Sequence, residues 1–283
     1  MAFDEIDVVR VRDGNRASEM DRVAVEEPLD VRLHGRPFAV IMRTPGADRD
    51  LAAGFLFAER VLRSADDIGT IAYCQAYVVS GLSRTVSDAP AENVINVTLA
   101  RGEDAEFERV MAERRNVVAN ASCGVCGRLT IETLRADLSP VRPGCSISAS
   151  ALVRLPDLLR IDQPMFDATG GLHAAGLFDC EARLITSAED VGRHNAVDKV
   201  VGRMLLREAL PLADRTLFVS GRTSFEIVQK AWCAGIPIVA SVSAPSSLAI
   251  ALAREARITL VGFVRNGGFN IYAHPERILG AEK

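Results

Sequence analysis

From about residue 128 the chain alternates helical and strand-like segments, and this rhythm constrains its fold more than any other feature. Strand-like runs at 182–187, 215–220, 236–241 and 257–264 are separated by helical patterns at 192–210, 224–234 and 246–254. Runs such as 236–240 and 258–263 are short and apolar on both faces, as parallel strands covered by helices are. The same reading predicts helices at 128–137, 149–159 and 170–178, with a Pro/Gly loop at 139–145. Thr223-Ser224-Phe225-Glu226 has the spacing of a capping box at a helix start.

Before residue 128 the pattern is strand-rich. Residues 1–25 are polar and mostly acidic, a frayed arm or an edge strand. Leu29, Val31 and Leu33 alternate, His34-Gly35 offers a turn, and 38–42 resumes the strand, which predicts a hairpin. Asp48 or Asp50 is placed to cap a helix through Arg63, with Leu51, Phe55, Ala58 and Leu62 on one face. Strands at 68–79 and 93–99 and a helix at 104–115 follow. A chain of 283 residues suits about two domains. The change of rhythm sets them as a smaller α+β unit at 1–120, with an N-terminal arm, and an α/β unit at 121–283.

Composition narrows the function classes. With 48% apolar and 25% charged residues the chain is neither disordered nor fibrous. A net charge of −4 offers no basic excess for nucleic acid. The N-terminus carries Asp4, Glu5 and Asp7 and lacks the apolar core of a signal peptide. The uncharged stretch 231–253 contains Pro237 and Pro245 and changes character near Ser243, so a strand followed by a helix fits it better than a membrane span. The expectation is a cytoplasmic protein with no membrane partner, whose cysteines stay reduced.

The sharpest local feature is Cys123-Gly124-Val125-Cys126-Gly127-Arg128, two thiols just ahead of a helical pattern. A helix N-terminus and a nearby arginine both favour thiolate, the reactive form. Four readings of the pair stand open at this point. A structural zinc site would need two more ligands, and Cys74, Cys145, Cys180 and Cys233 are isolated in sequence. The others are a thiol–disulfide couple, inert structural cysteines, and a thiol that carries a group such as a persulfide.

Several glycine-bearing loops suit anions. Gly170-Gly171 precedes His173 and the helix expected there, unless it is a plain turn beside a partly buried histidine. His194 and Asp198 stand four apart at a helix start and could hydrogen-bond. Ser220-Gly221-Arg222-Thr223-Ser224 reads as a strand–glycine–helix turn, and Phe263-Val264-Arg265-Asn266-Gly267-Gly268 as a glycine-rich turn after a strand. Neither common nucleotide fingerprint is present. Such loops beyond strand ends in an α/β sheet point to a phosphate-bearing ligand.

Taken together these segments resemble the FdhD family of formate dehydrogenase accessory proteins. The blocks that match are Glu27-Pro28-Leu29, Arg43-Thr44-Pro45-Gly46, Ala52-Ala53-Gly54-Phe55-Leu56, Cys123/Cys126, and residues 169–175, 190–199, 220–224 and 262–268. The resemblance implies an α+β N-terminal domain followed by an α/β cytidine-deaminase-like domain, in a homodimer. It implies a sulfurtransferase in which Cys123 accepts sulfur from a cysteine desulfurase as a persulfide, with Cys126 placed to close a disulfide. The recipient would be the molybdenum (or tungsten) bis-pterin guanine dinucleotide cofactor, destined for formate dehydrogenase, with GDP as a possible analogue. Phe263, Val264, Arg265, Asn266, Gly267 and Gly268 match the family's cofactor-binding segment. Gly221, Arg222, Thr223, His173 and His194 are expected to complete that site, with no resident metal. Two rival functions are a non-catalytic cofactor chaperone and a thiol–disulfide oxidoreductase. Deamination is not expected, because Ala174-Ala175 follows His173 where a zinc deaminase has its glutamate.

Overall fold

The computed structural model describes residues 3–74, 91–102, 107, 108, 111, 138–142 and 144–280. Cys123 and Cys126, the boundary at 120/121, the helix expected at 128–137 and most of the one at 104–115 lie outside the described residues.

The N-terminal arm is a two-stranded hairpin, β1 (Phe3–Arg12) and β2 (Asn15–Ala24), turning at Asp13-Gly14. Next come β3 (Glu27–Leu33), β4 (Arg36–Arg43), helix α1 (Asp48–Ala58), β5 (Ile68–Tyr73) and β6 (Val94–Leu99). They form a four-stranded sheet in the order β4-β3-β6-β5. The 29–42 hairpin forms as its alternation demands, with His34 and Gly35 both at positive φ in the turn. Helix α1 is shorter than its sequence suggests. It ends at Ala58, and no aspartate caps its start: Ala47 is the N-cap, while Asp48 binds Arg43.

After β7 (Ile147–Ser148) the helix expected at 149–159 is broken at Val153-Arg154 into α2 (Ala149–Leu152) and α3 (Leu155–Arg160). Pro156 is the cause, since it has no N–H to give and is tolerated only in a first turn. Helix α4 (Pro164–Thr169) ends at Gly170, which is left-handed at φ 66°. The helix expected at 170–178 is instead strand β8 (His173–Phe178). Gly170-Gly171 therefore closes a helix rather than opening one.

The rest follows the predicted alternation: β9 (Leu184–Asp190), α5 (Arg193–Leu206), β10 (Thr216–Val219), α6 (Phe225–Cys233), β11 (Ile238–Ser241), α7 (Ser247–Ala256) and β12 (Thr259–Arg265). β13 (Gly268–Ala273) and β14 (Ile278–Leu279) complete it. The larger sheet has the order β13-β12-β11-β10-β8-β9. β10, β11 and β12 are parallel, as their two-sided burial predicts; β8 is antiparallel to β10 and to β9, and β13 to β12. β9, β10, β11 and β12 therefore all end at one edge, where α5, α6 and α7 begin.

Alternation along the strands sorts the core. Leu177, Leu217, Val219, Val239 and Leu260 face one side, in an apolar cluster shared with α1, α5 and the four-stranded sheet. Phe178, Phe218, Ile238, Ala240 and Val261 face the other, against Leu152, Leu155 and Leu159 of α2 and α3. No helix among the described residues is long and apolar enough to cross a membrane.

Helices α1 and α5 cross backbone to backbone. A Cβ at Gly54 would overlap the Asp198 carbonyl, and one at Gly202 would overlap the Asp50 carbonyl and the Gly54 amide. Rigid main chain cannot yield as a flexible side chain could. Gly202→Ala should therefore destabilise the fold by ~1–3 kcal/mol. Urea unfolding should show a lower midpoint at unchanged slope; an unchanged midpoint would mean the crossing is loose.

Candidate functional site

The site is built where strand ends meet helix starts. The loops after β10 and β11 and the bulged end of β12 are laced together by main-chain bonds. Thr223 N–H donates to the Ala244 carbonyl (3.3 Å), Ser246 N–H to that of Thr223 (3.0 Å), and Phe263 N–H to that of Ser243 (3.1 Å). His173, at the start of β8, lies beside the end of β10, where Ala174 N–H donates to Ser220 Oγ (2.8 Å). A cleft of about 470 Å³ opens here, lined by Gly170, Gly171, His173, Phe218, Ser220 and Val242, with α3 and α4 on its far side.

Asp190 fixes the start of α5. Its fully buried carboxylate pairs with Lys199 (2.6 Å) and accepts from Gly192 N–H (2.8 Å), Asn195 Nδ2 (2.8 Å) and Thr44 N–H (3.3 Å). Lys199 also donates to the Thr44 carbonyl (3.0 Å) and Asn195 to that of Met42 (2.8 Å). The 43–46 segment and the helix start are thereby clamped together. Arg193 and His194 are the first residues carried past the clamp.

Arg193 and Arg222 stand near enough to His173 for their charges to act on its imidazole. A Cβ on Gly221 would sit 3.2 Å from His173 Nδ1, tighter than ordinary contact, and 3.5 Å from Arg193 Cδ, so His173 and Arg193 both pack against this glycine turn. Neither arginine meets an acceptor among the described residues, and Arg193 Nε is buried without a partner. The Thr223 hydroxyl is also buried and unpartnered among the described residues. Two guanidiniums without acceptors among the described residues, a buried hydroxyl and the N-terminus of α6 at a glycine turn are groups with which this corner could receive a phosphate-like anion.

The 263–268 segment takes an irregular form. Pairing of β12 with β13 slips between Gly262 and Arg265, and Phe263 bulges with φ 56°. Left-handed backbone is costly at a bulky residue. Val264 is buried in the core facing α2 and α3, so its side chain cannot meet a ligand directly. Arg265 lies exposed with its guanidinium 5.2 Å from the Phe263 ring centre. Asn266 and Gly267, at φ 53° and 74°, make the turn into Gly268.

Two expected side-chain pairings do not form. His194 does not bond Asp198, which is buried and held by Lys230 of α6 (2.6 and 2.9 Å). His194 instead lies between Glu226 Oε2 (2.9 Å from Nδ1) and Ser224 Oγ (2.8 Å from Nε2). The capping box fails for the same reason. Ser224, not Thr223, is the N-cap of α6, and no side chain caps that helix. The structure thus gathers Gly221, Arg222, Thr223, His173 and His194 around one corner, with 263–268 further along the same sheet edge. Arg193 and Glu226, absent from the expected set, belong there; Arg193 stands next to His194 in a segment already singled out.

Burial, and then the guanidinium charges of Arg193 and Arg222, hold the His173 imidazole below the usual histidine range. An anion seated between the arginines would cancel that repulsion and favour the imidazolium. NMR titration should find His173 below its ordinary value of about 6.5, and rising when inorganic pyrophosphate is added. A value indifferent to pyrophosphate would place the anion elsewhere.

Comparison with known proteins bears on the whole chain. Residues 24–279 match the model of the FdhD/NarQ family. A Streptomyces avermitilis protein named sulfur carrier protein FdhD is 48% identical over 281 residues, covering 96% of this chain and 94% of that one. One of the same name from Sulfolobus acidocaldarius is 43% identical over 98% of this chain and 99% of its own. The crystal structure of a candidate formate dehydrogenase accessory protein from Desulfotalea psychrophila superposes with a TM-score of 0.74 at 27% identity, covering 99% of this chain and all of that one. On the family model and these relatives, the chain belongs to the FdhD/NarQ family.

Proposed function

We propose that this protein is a sulfurtransferase that carries sulfur as a Cys123 persulfide to a guanine dinucleotide form of the molybdenum (or tungsten) pterin cofactor. The observation that carries the reading is the corner where Arg193, Arg222 and the Gly221 turn offer unpaired cationic donors to phosphate. Sequence adds the paired thiols, and the relatives named as sulfur carriers add the chemistry. The cofactor is treated as substrate. Its phosphates would meet Arg193, Arg222 and the amides after Gly221, while Arg265 and the 263–268 turn would hold the next part of the dinucleotide.

The transfer balances without an outside oxidant. The Cys123 thiolate attacks the outer sulfur of the persulfide on a cysteine desulfurase, that S–S bond breaks, and the desulfurase thiolate leaves. Cys126 then attacks the inner sulfur, closing a Cys123–Cys126 disulfide and releasing sulfide toward the cofactor. A two-electron thiol reductant reopens the pair. In the same reading the parallel-strand half is the cytidine-deaminase-like unit beginning near residue 121, the protein acts in the cytoplasm as a homodimer, and formate dehydrogenase is the final recipient.

The test is mass measurement after incubation with a cysteine desulfurase and cysteine. One extra sulfur, sensitive to reductant, should appear on the wild type and be absent from Cys123→Ala. No adduct on the wild type would favour a cofactor chaperone, and an adduct that survives in Cys123→Ala would reject the assignment.

A further inference from the structure

We propose that Ser224, His194 and Glu226 form a second reactive site, a Ser–His–Glu relay able to hydrolyse small carboxylic esters. The inference is independent of the sulfur-carrier reading and uses neither Cys123 nor Cys126.

The geometry sets each proton. Glu226 can only accept, so at 2.9 Å it fixes the proton of a neutral imidazole on Nδ1. Nε2 is then the acceptor, and the Ser224 hydroxyl 2.8 Å away donates to it. This is the arrangement in which a serine becomes a nucleophile: base within hydrogen-bond reach, base oriented by a carboxylate. His194, Ser224 and Glu226 are all partly open to solvent, with side-chain exposures of 19% and 18% for His194 and Glu226.

The sequence around Ser224 makes a merely structural role a poor fit. A serine at an N-cap ordinarily accepts from its own helix, and Ser246 does so at the start of α7, from Ala249 N–H at 3.2 Å. Ser224 occupies the equivalent place before α6 and does not; its hydroxyl is turned to His194. Glu226, at the second position of the helix rather than the third that a capping box needs, is also turned to His194. The first turn of α6 is left without a side-chain cap. The amide of the residue following a helix-start nucleophile is where an oxyanion hole is built, and Phe225 N–H stands at that position. The guanidiniums of Arg193 and Arg222 near the same corner favour esters that carry an anionic group.

In the reaction, Ser224 Oγ bonds to the acyl carbon as its proton passes to His194 Nε2, and Glu226 steadies the imidazolium. The ester C–O bond breaks, and the leaving oxygen takes the proton from Nε2. Water then attacks the acyl carbon, giving a proton to Nε2. The acyl–Oγ bond breaks, and Ser224 recovers that proton.

The full chain is treated with a fluorophosphonate probe, which phosphonylates activated serines with loss of fluoride, and the adduct is mapped by peptide mass. Labelling at Ser224, abolished in Ser224→Ala and slowed ~100-fold or more in His194→Gln, is expected. Turnover of p-nitrophenyl acetate should fall in parallel, and Glu226→Gln should lower kcat at least ~10-fold with KM unchanged, a split that a general loss of packing would not give. The wild-type labelling does not depend on any variant folding. No label on folded wild type, or a label left in place by Ser224→Ala, would overturn the proposal.

Discussion

The fully buried carboxylate of Asp190 is the contact on which the site depends. It carries a charge into the interior and is balanced there by Lys199 and three N–H donors. A buried ion pair of this kind adds little net stability over an apolar one, but breaking it strands a charge at a cost of about 3–5 kcal/mol. What the pair does is fix geometry. Through Thr44 and Met42 it ties the end of β4 to the first turn of α5. The smaller sheet and the larger one are then held in one relation, and Arg193 and His194 point where the glycine turn after β10 leaves room.

Second to this is the backbone crossing of α1 and α5, which Gly54 and Gly202 permit. It brings Asp50 to Arg203 at 2.8 Å and lets one apolar cluster run from the smaller sheet onto the face of the larger. The candidate anion-binding corner sits on the edge that this core supports. Its strands end together, three helices begin there, and its two arginines are left unpaired among the described residues. Burial first, and then repulsion from these neighbouring cations, holds down the proton affinity of His173. Such repulsion is tolerated where a ligand relieves it.

Much of this could be read from the chain. Parallel strands β10–β12 were legible because both faces are buried and their residues are β-branched and apolar. The hairpin at 27–43 was legible from its alternation and its turn. What misled was local chemistry overridden by tertiary contact. Residues 173–178 lie between a helix and a turn, and their small residues carry no strand signature; pairing with β9 and β10 decides them. His194 and Asp198 have helix spacing, but Lys230 and Glu226, distant in sequence, take them as partners. The capping-box spacing at 223–226 is real as a pattern, and a histidine from another helix outcompetes it. The matching family blocks around 43–46, 190–199 and 220–224 gain a physical reason from the Asp190 clamp and the glycine turn. The thiol pair remains known from its sequence.

The most direct measurement is calorimetric titration of the wild type, Arg193→Ala and Arg222→Ala with guanosine, GMP and GDP. If the corner beside Gly221 is built for phosphate, affinity should climb with each phosphate, GDP exceeding guanosine on the order of 100-fold. Both variants should lose most of that gain while binding guanosine as before. Equal affinity for guanosine and GDP, or GDP binding untouched by either substitution, would contradict it.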